Sequence, residues 1–376
     1  MSFSFTDEQE QFREATRRFL QDKSPTTEVR RLMETSEGFD EAVWKQLSGE
    51  LALPGIHIPE QYGGAGFGPV ELGIIMEELG RSLLCAPYFG SSVLAATAIL
   101  EAATEDWKCE LLPALAAGEQ LGALAVTETG GRWDSDGIAT VARDSGAGFS
   151  LTGTKSFVVD GLTAGFLIVA ARTPDTGGEA GVGLYLVRPD DAGVTRTPLE
   201  TMDATRKLAR IDLLDAPARP LGEPGADWPA LQRTLDLAAV ALANESVGGA
   251  QVMLDSSVEY SKIRMQFGRA IGSFQAIKHR CADMLVEVEL AKSAAYYAAQ
   301  AAASGDPELP ALACLAKAAA SDAFVSTAAS CIQIHGGIGF TWDHDTHLWF
   351  KRAKSSEVFL GTPDHHRELY LQRTGV

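Results

Sequence analysis

"ALQRTLDLAAVALANESVGGAQVMLDSSVEYSKIRMQF", residues 230–267, is the stretch on which the architecture turns. Apolar residues recur through it at helical spacing, and no proline interrupts it. The pattern predicts one very long helix, with Gly248-Gly249 as its point of relief. Two more alanine-rich helices are expected after it, at about 274–304 and 309–335. Small side chains let helix axes approach closely, so these segments suit a tight bundle.

Upstream of the long helix the texture is different. From about residue 121, "LGALAVTE", "FSLTGTKSFVVDG", "AGFLIVAAR" and "GVGLYLVR" are short apolar or alternating runs, separated by Gly, Asp, Pro and Thr. They predict the strands of a compact β-barrel or sandwich. "PLGEPGADWPA" then reads as a linker. The first 120 residues read as helices, opened by Thr6 as an N-cap ahead of Phe12, Ala15, Phe19 and Leu20. The expected fold class is therefore α+β, with an N-terminal helical domain (1–120), a middle β-domain (121–228) and a C-terminal four-helix bundle (229–376).

A net charge of −18 over 376 residues opposes a nucleic-acid partner or an anionic membrane surface. No run approaches twenty uninterrupted apolar residues, and the N-terminus lacks a basic start followed by an apolar run. No membrane span or secretory signal is expected. Five cysteines, none in a Cys-x-x-Cys pair, fit reduced thiols in the cytoplasm. His344, His347, His365 and His366, with Asp343, Asp345 and Asp364, lack the i, i+4 placement of a helical zinc pair, so no metal is expected.

No Gly-x-Gly-x-x-Gly follows a strand, and neither a P-loop nor a Gly-x-Ser-x-Gly elbow is present. Three other stretches gain meaning together. "IRMQFGRAIGSFQAIKHR" (263–280) closes the long helix with Arg264 and Phe267 and leads to Gln275. "IQIHGGIGFTWDHD" (332–345) sets Gln333 before Gly336 and Gly337. "LAVTETGGRWD" (124–134) ends a strand with Thr127 and Glu128.

As a set, with "PEQYGGAGFGPVELGIIMEELGR", "GTKSFVVDG" and "FQAIKHRCADM", these stretches resemble the acyl-CoA dehydrogenase family over essentially the whole chain, in particular its actinobacterial, steroid-degradation-type branch. The resemblance implies bound FAD. Arg264 and Phe267 match positions on its diphosphate and adenine side, with Gln275 nearby. Gln333, Gly336 and Gly337 match positions that reach the FAD of a neighbouring subunit. Thr127 and Thr362 match flavin contacts, and Phe157 stands where the family commonly has a tryptophan against the flavin. Val159 replaces a hydroxyl donor, and "TGGRWDSD" departs from the usual pattern around Trp133 and Ser135.

The implied reaction removes the α-proton of an acyl-CoA thioester while the β-hydride passes to the flavin, giving a 2,3-enoyl-CoA. Its electrons go on to an electron-transfer flavoprotein. The base is a carboxylate in an apolar site, where desolvation strengthens it. In many members it is the Glu of a Glu-Gly-Thr turn, but in "LGTPDHHR" that position is Leu360. Other members place it on the long helix, about 29 residues before the phenylalanine matching Phe267, and here that position is Ala238. Leu360 and Ala238 are then expected in the substrate pocket. Glu245 lies seven residues after Ala238 on nearly the same helical face, roughly 10 Å along the axis at about 1.5 Å per residue. Glu245 is the expected base, with Asp236 and Glu357 as weaker candidates. The competing expectation is a partner subunit without its own base, in an α2β2 assembly rather than a homo-oligomer.

Overall fold

The structure is a computed structural model that describes residues 5–146 and 148–375. The N-terminal helices are α1 (Asp7–Lys23), α2 (Thr26–Met33), α3 (Glu41–Gly49), α4 (Pro69–Ser82), α5 (Ala96–Ala102) and α6 (Glu105–Ala116). The strands β1 (Gly122–Ala125), β2 (Val141–Asp144), β3 (Phe149–Val159), β4 (Phe166–Arg172), β5 (Val182–Val187), β6 (Val194–Leu199) and β7 (Leu208–Pro220) follow. Then come α7 (Trp228–Ile263), a hairpin of β8 (Met265–Gln266) and β9 (Arg269–Ala270), and α8 (Gln275–Ser304), α9 (Leu309–His335), α10 (Thr346–Val358) and α11 (Pro363–Thr374). This is the α+β order of helices, sheet and helices.

By contact the chain forms two compact units that cut across the sequential thirds. The helical unit joins residues up to Arg30 and Pro69–Leu84 to everything from Ala239 onward. The barrel unit holds Arg31–Gly68 and Cys85–Ala238. The division arises because α1 packs on α4, and α4 packs on α8.

In the barrel unit, β3 pairs antiparallel with β2 and β7, and β5 pairs with β7 and β4. The ring closes where Arg172 of β4 meets Val141 of β2 in parallel register. β1 runs parallel to β4 along the rest of that edge, and β6 lies on β7. Alternate residues point inward, and Leu151, Leu167, Val169, Val187 and Ile211 fill a core that excludes water.

In the helical unit, the Thr6 cap forms as expected, with a reciprocal bond from Gln9. The 36-residue α7 runs without a break through Gly248-Gly249, so these glycines serve contact and not relief. A Cβ at Gly248 would stand 1.9 Å from the Glu77 carbonyl of α4, and one at Gly249 would stand 2.3 Å from the Phe324 ring of α9. Gly80 of α4 returns the contact, since a Cβ there would stand 1.9 Å from the Glu245 carbonyl. The two helices thus cross backbone to backbone, each through a glycine that only a missing side chain permits. Although α7 and α9 are long and apolar enough to cross a membrane, most of the apolar window of α7 is buried within the protein.

Burying carboxylates at this crossing requires partners. Glu77 accepts from Arg13 at 2.5 Å and from the Tyr296 hydroxyl at 2.7 Å, while Arg17 grips Glu78 at 2.7 Å.

Candidate active site

In the barrel unit, Thr127 and Phe157 are brought together by the end of β1 and a bulge in β3. Thr127 is buried; its hydroxyl donates to the Ser156 carbonyl at 2.7 Å, and the Ser156 amide donates back to the Thr127 carbonyl at 2.9 Å. The β3–β7 register then shifts between Lys155 and Val158, and Phe157 takes φ +60°. A bulky residue in the left-handed region is strained. The bulge turns its ring outward, 41% exposed, while Val158 and Val159 return to the core. Trp133 and Ser135 lie on the loop after Glu128, where Ser135 is buried and its carbonyl accepts from Arg172 at 2.5 Å.

In the helical unit, Arg264, Phe267 and Gln275 gather where α7 ends, four residues before Phe267 rather than at it. Phe267 and Gly268 form a two-residue hairpin turn with φ +51° and +74°, the mirror-image turn that matches strand twist. The Phe267 ring is 91% exposed, edge-on to Phe274 at 6.0 Å. Arg264 is exposed, and among the described residues its guanidinium has no partner. Gln275 opens α8, whose first amides and dipole favour an anion.

Gln333 is exposed on the last turn of α9, and Gly336 ends the helix with φ +65°. Gly337 is exposed too, and a Cβ there would meet nothing within 4 Å, so the chain itself does not demand a glycine at 337.

The 357–362 turn is framed by two buried side chains. Lys317 donates to the Glu357 carbonyl (3.3 Å), the Gly361 carbonyl (3.1 Å) and the Ser321 hydroxyl (2.9 Å). Burial pushes its pKa down to about 7. His366 Nε2–H donates to the Leu360 carbonyl at 2.9 Å; burial first, then the Lys317 charge, push its pKa down to about 3. Leu360 is buried and left-handed at φ +61°. Thr362 is exposed, and its hydroxyl caps α11 by accepting from the His365 amide at 3.3 Å.

Ala238 is fully buried on α7. Glu245, one face along the same helix, is 2% exposed, and its carboxylate is clasped by the equally buried Arg352 of α10. The sequence reading asked for a carboxylate in an apolar site; the structure supplies a guanidinium against it. Such a partner holds the group in place. Glu357 pairs with Lys354, and Asp236 is buried. Among the remaining polar residues, Arg30 binds Asp345 at 2.7 Å and the His344 carbonyl at 3.1 Å, which gives that His/Asp cluster a packing role.

Sequence reasoning missed Arg352, Lys317 and Lys155. Each is a polar residue within helix or strand sequence whose partner lies tens of residues away. A lysine at an inward position of β3 was the one local signal.

The domain families matching the chain are the acyl-CoA dehydrogenase N-terminal domain (residues 6–119), middle domain (123–213) and C-terminal domain (226–374). Acyl-CoA dehydrogenase IpdE2 of Mycobacterium tuberculosis is 35% identical over 357 residues, covering 95% of this chain and 94% of the relative. The solved Tcur3481-Tcur3483 steroid ACAD variant superposes with a TM-score of 0.88 at 31% identity, over 98% of each chain. The ChsE4-ChsE5 complex of M. tuberculosis gives 0.88 at 26% identity, over 100% of this chain and 98% of that one. The chain belongs to the acyl-CoA dehydrogenase family, flavin-dependent oxidoreductases that act on acyl-CoA.

Proposed function

We propose that the chain is a flavin-binding subunit of an acyl-CoA dehydrogenase that desaturates a bulky, steroid-like acyl-CoA to its 2,3-enoyl-CoA, within an assembly whose catalytic base comes from another chain. The observation that carries the flavin-site reading is strain. Phe157, Phe267 and Leu360 are three of the eight non-glycine residues with positive φ among the described residues, and all three were singled out by the family pattern. Left-handed bulky residues persist where the surroundings over-determine them, which is typical of ligand sites.

The residues present fit FAD. Arg264 offers an exposed planar fork of donors, and the opening turn of α8 with Gln275 favours the diphosphate. The exposed Phe267 ring would meet the adenine side, and Phe157 would wall the flavin ring. Thr127 and Thr362 would contact it as well, Thr127 with its hydroxyl hydrogen already committed to Ser156. Gln333 and the open-sided Gly336-Gly337 turn suit a neighbouring subunit's cofactor. When bound, the flavin supplies the redox step by accepting the substrate's β-hydride, and an electron-transfer flavoprotein would take the electrons onward.

Ala238 and Leu360 put buried apolar side chains at both usual base positions, and neither can move a proton. Glu245 is committed to Arg352. On this reading the base comes from outside the chain, and the names of the Tcur3481-Tcur3483 steroid ACAD and the ChsE4-ChsE5 complex, each joining two proteins, support it. Five free thiols fit a cytoplasmic enzyme.

A second reading keeps Glu245 as the base. Its support is that Glu245 is a buried carboxylate on the family's base-bearing helix, and it requires the Arg352 contact to open. Expressing the chain alone and with candidate partner chains, then recording flavin content and anaerobic bleaching by steroid-like acyl-CoAs, separates the readings. Flavin that bleaches only in the two-chain assembly supports the first; bleaching by the chain alone supports the second.

A further inference from the structure

Lys155 has 0% exposure in β3, and no step of the proposed reaction uses it. Its ammonium donates to the Val126 carbonyl at 2.9 Å and to Glu128 Oε1 at 2.8 Å. The same Glu128 oxygen accepts from the Ala139 amide (2.9 Å), the Thr140 amide (2.7 Å) and the Thr140 hydroxyl (2.8 Å). One ion pair, with its lysine fully buried, thus ties three pieces of chain together: the segment leaving β1, the loop returning to β2, and β3 itself. Between the two residues that Lys155 holds lies Thr127, clasped to Ser156 in both directions. The residue after Ser156 is Phe157, at the bulge.

Burial pushes the Lys155 pKa down to about 8, with the Glu128 charge resisting. Burial would raise the Glu128 carboxyl, but the Lys155 charge and the Thr140 bonds hold it below its ordinary value. A charge buried as fully as the Lys155 ammonium needs partners, and Glu128 with the Val126 carbonyl supplies them.

We infer that Lys155 is a positioning residue: through Glu128 and the Val126 carbonyl it fixes the Thr127–Ser156 clasp, and the clasp in turn holds Phe157 in its outward, left-handed conformation against the flavin. The role rests on the flavin-site reading.

Lys155→Met combined with Glu128→Gln removes both charges together, which avoids stranding one of them. In the flavin-free chain, amide exchange at Ser156 is expected to rise about tenfold or more, while Leu167 and Val169 in the β4–β5 ladder change less than about twofold. If Ser156 exchange is unchanged, or the whole barrel accelerates with it, the inference fails. Glu128→Gln alone, which keeps an oxygen for Lys155 and Thr140, carries the same comparison if the double variant does not fold.

FAD titration of the apoprotein supplies the readout that a merely structural role would not move. The double change should weaken FAD about tenfold in the native background but less than about twofold when Phe157 is already alanine, because residues that act as a unit are not additive. Equal losses in both backgrounds would overturn the inference. A native chain that takes up no FAD would refute the flavin-site reading instead, while the exchange comparison would still decide whether Lys155 holds Ser156.

Discussion

Glu245 and Arg352, 107 residues apart in sequence, form a buried ion pair between α7 and α10 of the helical unit. The Glu245 backbone is fixed as well, because its carbonyl lies against Gly80 of α4. Three helices therefore meet at one residue. Arg352→Met should leave a buried charge without its partner and cost about 3–5 kcal/mol, whereas adding Glu245→Gln should restore most of the loss. Urea unfolding of the two variants checks this, and equal losses would argue against a shared pair.

The glycine crossing of α4 and α7 makes a second expectation. Gly248→Ala would drive a Cβ to within 1.9 Å of a backbone carbonyl, which no side-chain rotation can relieve. A loss of at least about 1–3 kcal/mol is expected, as for overpacked cores. Gly337→Ala, open to 4 Å, should stay within about 0.5 kcal/mol in the apoprotein. Thermal unfolding of both distinguishes contact from mere helix propensity.

The Leu360 turn should be acid-sensitive through His366. Its folded pKa, about 3, lies below its ordinary 6.5, so between those values the unfolded chain binds a proton that the folded chain refuses. Stability from this residue is fully present above about pH 6.5 and is lost as pH falls toward 3. His366→Asn retains a side-chain N–H but cannot titrate, so the wild type should lose stability relative to this variant on going from pH 7 to pH 4. Parallel pH profiles would rule the assignment out.

At Phe157, glycine would remove both the ring and the left-handed strain, a cost of about 1–2 kcal/mol. The apoprotein of Phe157→Gly should therefore stay within about 1 kcal/mol of the native chain, while FAD binds about tenfold more weakly. Chemical denaturation and FAD titration read the two effects separately. Unchanged affinity would remove Phe157 from the site.

The architecture was legible because its signals are local. Thr6 and Gln9 sit three residues apart, α7 announces itself by period, and the barrel strands are short apolar or alternating runs. The candidate flavin residues were found by pattern rather than physics, since nothing in "QFGR" tells composition that Phe267 stands at a left-handed hairpin tip. Gly248-Gly249 misled because a glycine pair reads as flexibility, yet close approach needs the same residue. At Glu245 the sequence hid a partner for a related reason. Burial among alanine and valine suggested an apolar niche, and Arg352, which fills that niche with charge, lies on α10. Long-range pairing leaves no mark in a helical period.

The most direct test is anaerobic reduction of the bound flavin by a steroid-like acyl-CoA, in the native assembly isolated through a tag on this chain, with Glu245 intact or changed to Gln. The expected result is a flavin that bleaches at rates agreeing within about twofold, because the pair with Arg352 is structural. A Glu245→Gln assembly that keeps its flavin but loses about a hundredfold or more in bleaching rate would contradict this, and would make Glu245 the base.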